Sequence, residues 1–120
     1  VIGVGVNAGK KTLFSVEDRL RIIGDIFKDE PRIMIMQYQS LTVEFCKKVN
    51  AGFILRGLRS GLDFEYEQSI AFANKELDAH IETVFLLSSP SYSNISSTIV
   101  RDIIVNKGDY SKFVPKGFKI

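Results

Sequence analysis

Four short apolar runs separated by amphipathic stretches constrain this chain more than any other feature. The runs fall at residues 1–6, 32–36, 53–55 and 81–87. They lack the clean apolar–polar alternation of a half-exposed strand, as expected when helices cover both faces of a parallel sheet. Between and after them, the periodicity predicts helices over residues 15–28, 41–49, 63–77 and 95–106. Ser15 reads as the N-cap of the first, with Asp18 three positions on as a short-armed capping box. Asn50-Ala51-Gly52 stops the second helix, Lys107-Gly108 stops the last, and Pro115 opens a further helical turn. The β-α-β-α order predicts an α/β fold, a parallel sheet with helices packed on both faces, with residues 1–120 as one domain.

Composition removes several function classes. Net charge is only +2, too small a surplus for the dense basic face that non-specific nucleic-acid binding requires. An RNA-binding module also needs an aromatic strand that is absent here. Cys46 and His80 are the only cysteine and histidine, so no disulfide framework and no protein-only transition-metal site is expected. No stretch approaches the roughly 20 apolar residues that cross a bilayer, and no leader is recognised. The chain is therefore expected to be cytoplasmic, with no membrane partner.

In a parallel sheet the strand-to-helix loops leave at one edge, where ligands bind. Here those loops are residues 7–12 (NAGKKT), 37–42 (QYQSLT), 56–61 (RGLRSG) and 88–97 (SSPSYSNISS). Together they collect Lys10, Lys11, Arg56, Arg59 and a run of hydroxyls. Two arginines beside Gly57 have the composition of a polyanion site, since guanidinium forks match phosphate oxygens and glycine admits a close backbone approach. ISST, residues 95–98, stands at a helix start, where exposed N–H groups, the helix dipole and the hydroxyls of Ser96, Ser97 and Thr98 favour phosphate. The competing reading there is a simple N-cap. The competing reading for the arginines and lysines is a solvated surface. Asp63, Glu65 and Glu67 suit a helix N-terminus for dipole reasons alone. Cys46 reads as a small core residue and His80 as a surface histidine. No nucleophile–base pair can be assembled, which points away from covalent catalysis and toward transfer at phosphorus, a reaction driven by positioning and charge stabilisation.

With these segments in place the sequence resembles the bacterial phosphopantetheine adenylyltransferases, of the nucleotidylyltransferase superfamily. KKTLFSVEDR (residues 10–19), ILRGLRSGLDFEYEQ (54–68) and YSNISSTIVRDI (92–103) carry the likeness, which runs through nearly the whole chain. ISST is shared across the superfamily, whereas RGLR followed by DFEYE is much more specific. The resemblance implies a Rossmann-like fold of nucleotidylyltransferase type. It also implies transfer of AMP from ATP to 4'-phosphopantetheine, giving dephospho-CoA and pyrophosphate, with Mg²⁺ accompanying ATP.

Carried over residue by residue, the resemblance implies that Lys10 contacts phosphates of both substrates. Thr42 would line the pantetheine arm and Arg56 would hold the phosphopantetheine. Gly57, Leu58 and Arg59 would bind ATP, Arg59 through its phosphates. Glu67 would sit at the nucleotide, and Tyr92, Ser93, Asn94, Ile95, Ser96, Ser97 and Thr98 would form the loop and helix start around it. Tyr92 and Asn94 fall where the family varies. Lys10, Arg59 and Ser97 are the residues expected to serve catalysis directly. A homohexamer and feedback binding of coenzyme A are further expectations of the likeness.

One departure concerns a Thr/His-x-Gly-His element, which the family carries after a strand preceding this one, in a unit of roughly 30 residues. The chain thus reads as incomplete at its start, and also short of the family's last helix. Its activity alone is expected to be weak or absent, because the histidine of that element stabilises charge on the transferred phosphate. Two alternatives stay open on the residues: a non-catalytic nucleotide-binding module, and a nicotinate-mononucleotide adenylyltransferase, which would leave RGLR without a purpose.

Overall fold

A computed structural model describes residues 1–7, 9 and 12–120. It is an α/β structure of parallel strands flanked by helices, as the alternation predicts. The elements run β1 (Ile2–Gly5), α1 (Val16–Ile26), β2 (Ile35–Tyr38), α2 (Thr42–Lys48), β3 (Phe53–Leu58), α3 (Gly61–Leu77), β4 (Glu82–Leu87) and α4 (Ser97–Val105). Two short 3₁₀ turns, Pro90–Tyr92 and Ser111–Phe113, follow β4 and α4. No helix among the described residues is long and apolar enough to cross a membrane.

The chain divides into two compact units. Residues 1–39 and 95–120 form one, and residues 40–94 form the other. In the first, β1 and β2 pair in parallel with Ile2 opposite Ile35 and Gly5 opposite Tyr38. Helix α1 packs on both strands. Ser15 caps it: the Ser15 Oγ accepts from the Asp18 N–H at 3.0 Å and donates to the Asp18 carboxylate at 2.9 Å. Val4 and Ile22 are the buried apolar side chains of this unit. Strand β2 starts three residues later than its apolar run suggests. Glu30 takes both forks of the Arg32 guanidinium, and Ile33 donates to the Glu30 carbonyl, so the residues around Pro31 are held in a turn. Strand pairing then carries on to Tyr38, whose carbonyl accepts from Val6.

In the second unit β3 and β4 pair in parallel over six residues, Phe53 opposite Glu82 through Leu58 opposite Leu87. Val43, Cys46 and Ile81 form its buried cluster, with Ala51 and Ile54 packed against it. Cys46 is a free, buried thiol, and burial is the main cause that pushes its pKa up. Helix α2 ends where Asn50 turns left-handed at φ 55°, letting the Ala51 N–H reach the Cys46 carbonyl at 2.8 Å. Helix α4, in the first unit, ends the same way: Lys107 adopts φ 59° and Gly108 donates to the Ile103 carbonyl at 2.8 Å. His80 is 98% exposed, a surface histidine beside Asp78.

Candidate functional site

Half of the segment expected to be the loop at residues 56–61 is strand. Arg56, Gly57 and Leu58 belong to β3, opposite Phe85, Leu86 and Leu87, and only Arg59 and Ser60 separate it from α3. Apolarity stops at Leu55, but backbone pairing does not depend on apolar side chains. Ile54 is half-buried and Leu58 buried, but Arg56 between them is exposed, so no burial alternation marks where the strand runs on. The longer strand shortens the connection and fixes both arginines more firmly than a six-residue loop could.

Each arginine is met by a carboxylate from α3. Glu67 takes Arg56 in the bidentate fork: Nε donates to Oε2 at 2.7 Å and Nη2 donates to Oε1. The Glu67 side chain is 12% exposed while that of Arg56 is 49% exposed, so the acid is shielded and the cation keeps an open face. One helical turn earlier, Asp63 takes Arg59, accepting from Nε at 2.9 Å and from Nη2 at 3.1 Å. The hydrogen bonds from the Arg59 side chain and then its backbone hold the Asp63 carboxyl below its ordinary pKa. Spacing explains the double clamp: residues 63 and 67 are four apart and share one face of α3. Helix α3 itself starts on a cap, the Ser60 Oγ accepting from the Asp63 N–H at 3.3 Å. Glu67, expected at the nucleotide, pairs with Arg56.

The remaining site residues of this unit lie on its margins. Thr42 is the first residue of α2. Because β3 and β4 are parallel and in register to their ends, residue 59 and the segment after Leu87 leave at one edge. That segment is ordered by its own side chains: the Ser93 Oγ donates to the Pro90 carbonyl at 2.8 Å, and Ser89 and Ser91 share a hydrogen bond at 3.1 Å. Tyr92 closes the 3₁₀ turn and is 63% exposed. Asn94 is the last residue of the unit.

In the other unit Ile95 precedes α4, and Ser96 is its N-cap, accepting from the Ile99 N–H at 3.2 Å. The capping reading therefore holds for Ser96, while Ser97 and Thr98 occupy the first two helical positions, where N–H groups lack partners within the helix. Ser97 lines a cleft of about 270 Å³ together with Thr12, Leu13, Phe14, Val100 and Ile104. Arg19 and Arg101 also line it, and neither is among the residues expected at the site from sequence. The spacing could have shown Arg101, four residues beyond Ser97 and so on the same helical face. Arg19 is anchored by an Nη1 bond to the Gly5 carbonyl at 3.1 Å, at the end of β1. Its Nε is buried with no partner among the described residues. Lys10, expected to contact both substrates, lies outside the described residues.

Strand-end arginines in one unit and a serine-capped helix start in the other are each groups that receive phosphate oxygens. Residues 1–103 match the family model described as cytidylyltransferase-like. The whole chain aligns at 53% identity with a phosphopantetheine adenylyltransferase of Flavobacterium psychrophilum, covering 79% of that protein's length. The Flavobacterium johnsoniae protein of that name is 50% identical over the whole chain, which covers 78% of it. For the Bacteroides thetaiotaomicron one the figures are 45% and 79%. This chain belongs to the phosphopantetheine adenylyltransferase family.

Proposed function

We infer that this chain transfers the adenylyl group of ATP to 4'-phosphopantetheine, releasing pyrophosphate and forming dephospho-CoA, a step of coenzyme A biosynthesis. The name carried by its relatives supports the reading. The observation in the structure that carries it is the pair of arginines at the end of β3, each oriented by a carboxylate of α3. In the reaction an oxygen of the phosphopantetheine phosphate attacks the α-phosphorus of ATP. The new P–O bond forms as the bond to the departing pyrophosphate breaks, and no enzyme nucleophile takes part.

Catalysis of this kind is positioning plus stabilisation of phosphate charge. Arg56 holds the acceptor phosphate and Arg59 the ATP phosphates, with Gly57 and Leu58 offering backbone beside the nucleotide. The N–H groups and hydroxyls of Ser97 and Thr98 donate to phosphate oxygens at the start of α4. Lys10 adds a cation that contacts both substrates. No group of three His, Cys, Asp or Glu side chains able to hold a metal occurs among the described residues, which fits a Mg²⁺ carried mainly by the nucleotide's own phosphates. When bound, Mg²⁺ neutralises charge on the leaving pyrophosphate. A cytoplasmic homohexamer with feedback binding of coenzyme A completes the reading, and sedimentation with and without coenzyme A tests both the assembly and the feedback ligand.

A coupled pyrophosphate-release assay on the intact protein tests the reaction. Release with ATP and phosphopantetheine, and none with nicotinate mononucleotide, is the expected result. Release with nicotinate mononucleotide alone would replace the acceptor, and ATP binding without release with either would make the chain a nucleotide-binding module.

A further inference from the structure

Asp63 grips Arg59 at three points. Its Oδ2 accepts from the Arg59 backbone N–H at 3.1 Å and from Nε at 2.9 Å, and its Oδ1 accepts from Nη2 at 3.1 Å. The carboxylate is fixed in turn, because the Asp63 N–H donates to the capping Ser60 Oγ. One residue thus ties both the main chain and the side chain of Arg59 to the first turn of α3. Asp63 takes two of the five N–H donors of the guanidinium, on the Nε–Nη2 edge. A free arginine loses up to about 2 kcal/mol of rotamer entropy when a ligand immobilises it, and a side chain already held loses less.

We propose that Asp63 is a positioning residue for the nucleotide: it presents the Arg59 guanidinium to the ATP phosphates in a fixed orientation without itself touching ATP. The assignment rests on the proposed function's placement of ATP phosphates at Arg59. Its mark is selectivity. A carboxylate that merely stabilised α3 would affect both substrates alike, since Arg56 and Arg59 are braced by the same helix. A carboxylate that acts through Arg59 affects ATP alone, and only while Arg59 is present.

The test is a calorimetric cycle on the intact protein, with ATP and phosphopantetheine titrated into wild type, Asp63→Asn, Arg59→Ala and the double variant. Asp63→Asn is expected to weaken ATP binding about tenfold and phosphopantetheine binding less than twofold. In the Arg59→Ala background it should cause no further loss. Asp63→Glu, which keeps the charge on a longer arm, should recover most of the ATP affinity. Equal losses for both ligands, or losses that add in the double variant, overturn the assignment. Should Asp63→Asn not fold, the same cycle is run with Asp63→Ser, which also removes the carboxylate, and losses that add there are equally fatal. The pyrophosphate-release assay separates this from the reaction itself. A wild type that binds ATP but makes no dephospho-CoA overturns the proposed reaction while the cycle still decides Asp63, and one that binds no ATP overturns both.

Discussion

The two units hold the arginines of their candidate sites differently. In residues 40–94 the arginines of the phosphate segment are held by carboxylates one helical turn apart on α3. In the unit of residues 1–39 and 95–120, Arg19 and Arg101 line a cleft and join no ion pair among the described residues; Arg19 instead donates to a backbone carbonyl. The contrast follows from what precedes each helix. Helix α3 follows its strand after two residues, so Asp63 in its first turn and Glu67 in its second lie beside the arginines at the strand's end. Helices α1 and α4 follow longer connections; on α1, Arg21 pairs with acids of its own helix, Asp18 and Asp25, while Arg19 reaches back to the Gly5 carbonyl. The strand-end arginines are thus oriented by carboxylates, and Arg19 by a backbone carbonyl. Each unit also has its own core: Val43, Cys46 and Ile81 in one, Val4 and Ile22 in the other.

That division is broken most forcefully through the cores. Ile81→Ala and Ile22→Ala each remove a nearly fully buried side chain, at a cost of about 2–5 kcal/mol. If the units are separate in stability, hydrogen exchange should quicken mainly across β3, β4 and α2 for the first variant and across β1, β2 and α1 for the second. Uniform acceleration in both would show one cooperative body. Next in size are the paired arginines. Arg59→Ala should weaken ATP binding more than phosphopantetheine binding, and Arg56→Ala the reverse, each by about 1.5–3 kcal/mol for a charge-assisted contact. Calorimetric titration of both ligands into both variants checks this, and equal losses for the two ligands would erase the distinction.

Much of this arrangement was legible before any coordinates. Four helices and four strands follow from the apolar alternation, and the Ser15 cap and the Asn50 and Gly108 stops follow from side-chain chemistry that acts within a few residues. The β3 boundary was not legible, because Arg56 and Gly57 pair with β4 through their backbone, and that pairing depends on a partner thirty residues away in sequence. The carboxylate clamps were half legible. DFEYE announced acids near the arginines, but only the two-residue connection shows that Asp63 and Glu67 meet Arg59 and Arg56 respectively. Arg19 and Arg101 escaped notice because nothing local marks an arginine as cleft-lining; the signal is shared helical facing with Ser97 in one case and a contact across fourteen residues in the other.

A smaller effect separates structure from ligand binding at the start of α4. Ser96→Ala removes the cap and should lower stability by about 1 kcal/mol. Ser97→Ala, one residue on, should leave the melting temperature nearly unchanged while slowing adenylyl transfer. If the two variants behave alike in both measurements, the ISST segment is a cap and nothing more.

The smallest effect is in pH. Hydrogen bonds from the Arg59 side chain and backbone lower the Asp63 pKa in the folded chain below its ordinary 3.8. The folded state therefore binds that proton less readily than the unfolded state. The clamp's contribution is present in full above the unfolded value and is lost as pH falls through the folded one. Asp78 behaves in the same direction, lowered first by the His80 backbone N–H and then by Lys47, so both acids stabilise the second unit across neutral pH. The part of ATP affinity that depends on Asp63, taken as the difference between wild type and Asp63→Asn at each pH so that the ligand's own phosphate titration cancels, should accordingly be constant across neutral pH and be lost only below the ordinary aspartate range. In Asp63→Asn that acid limb should disappear, whereas the Arg56 site, braced by Glu67, should keep its own profile. A difference between wild type and Asp63→Asn that stays constant down through the acid range, or that already changes near neutral pH, would remove the clamp from the account of binding.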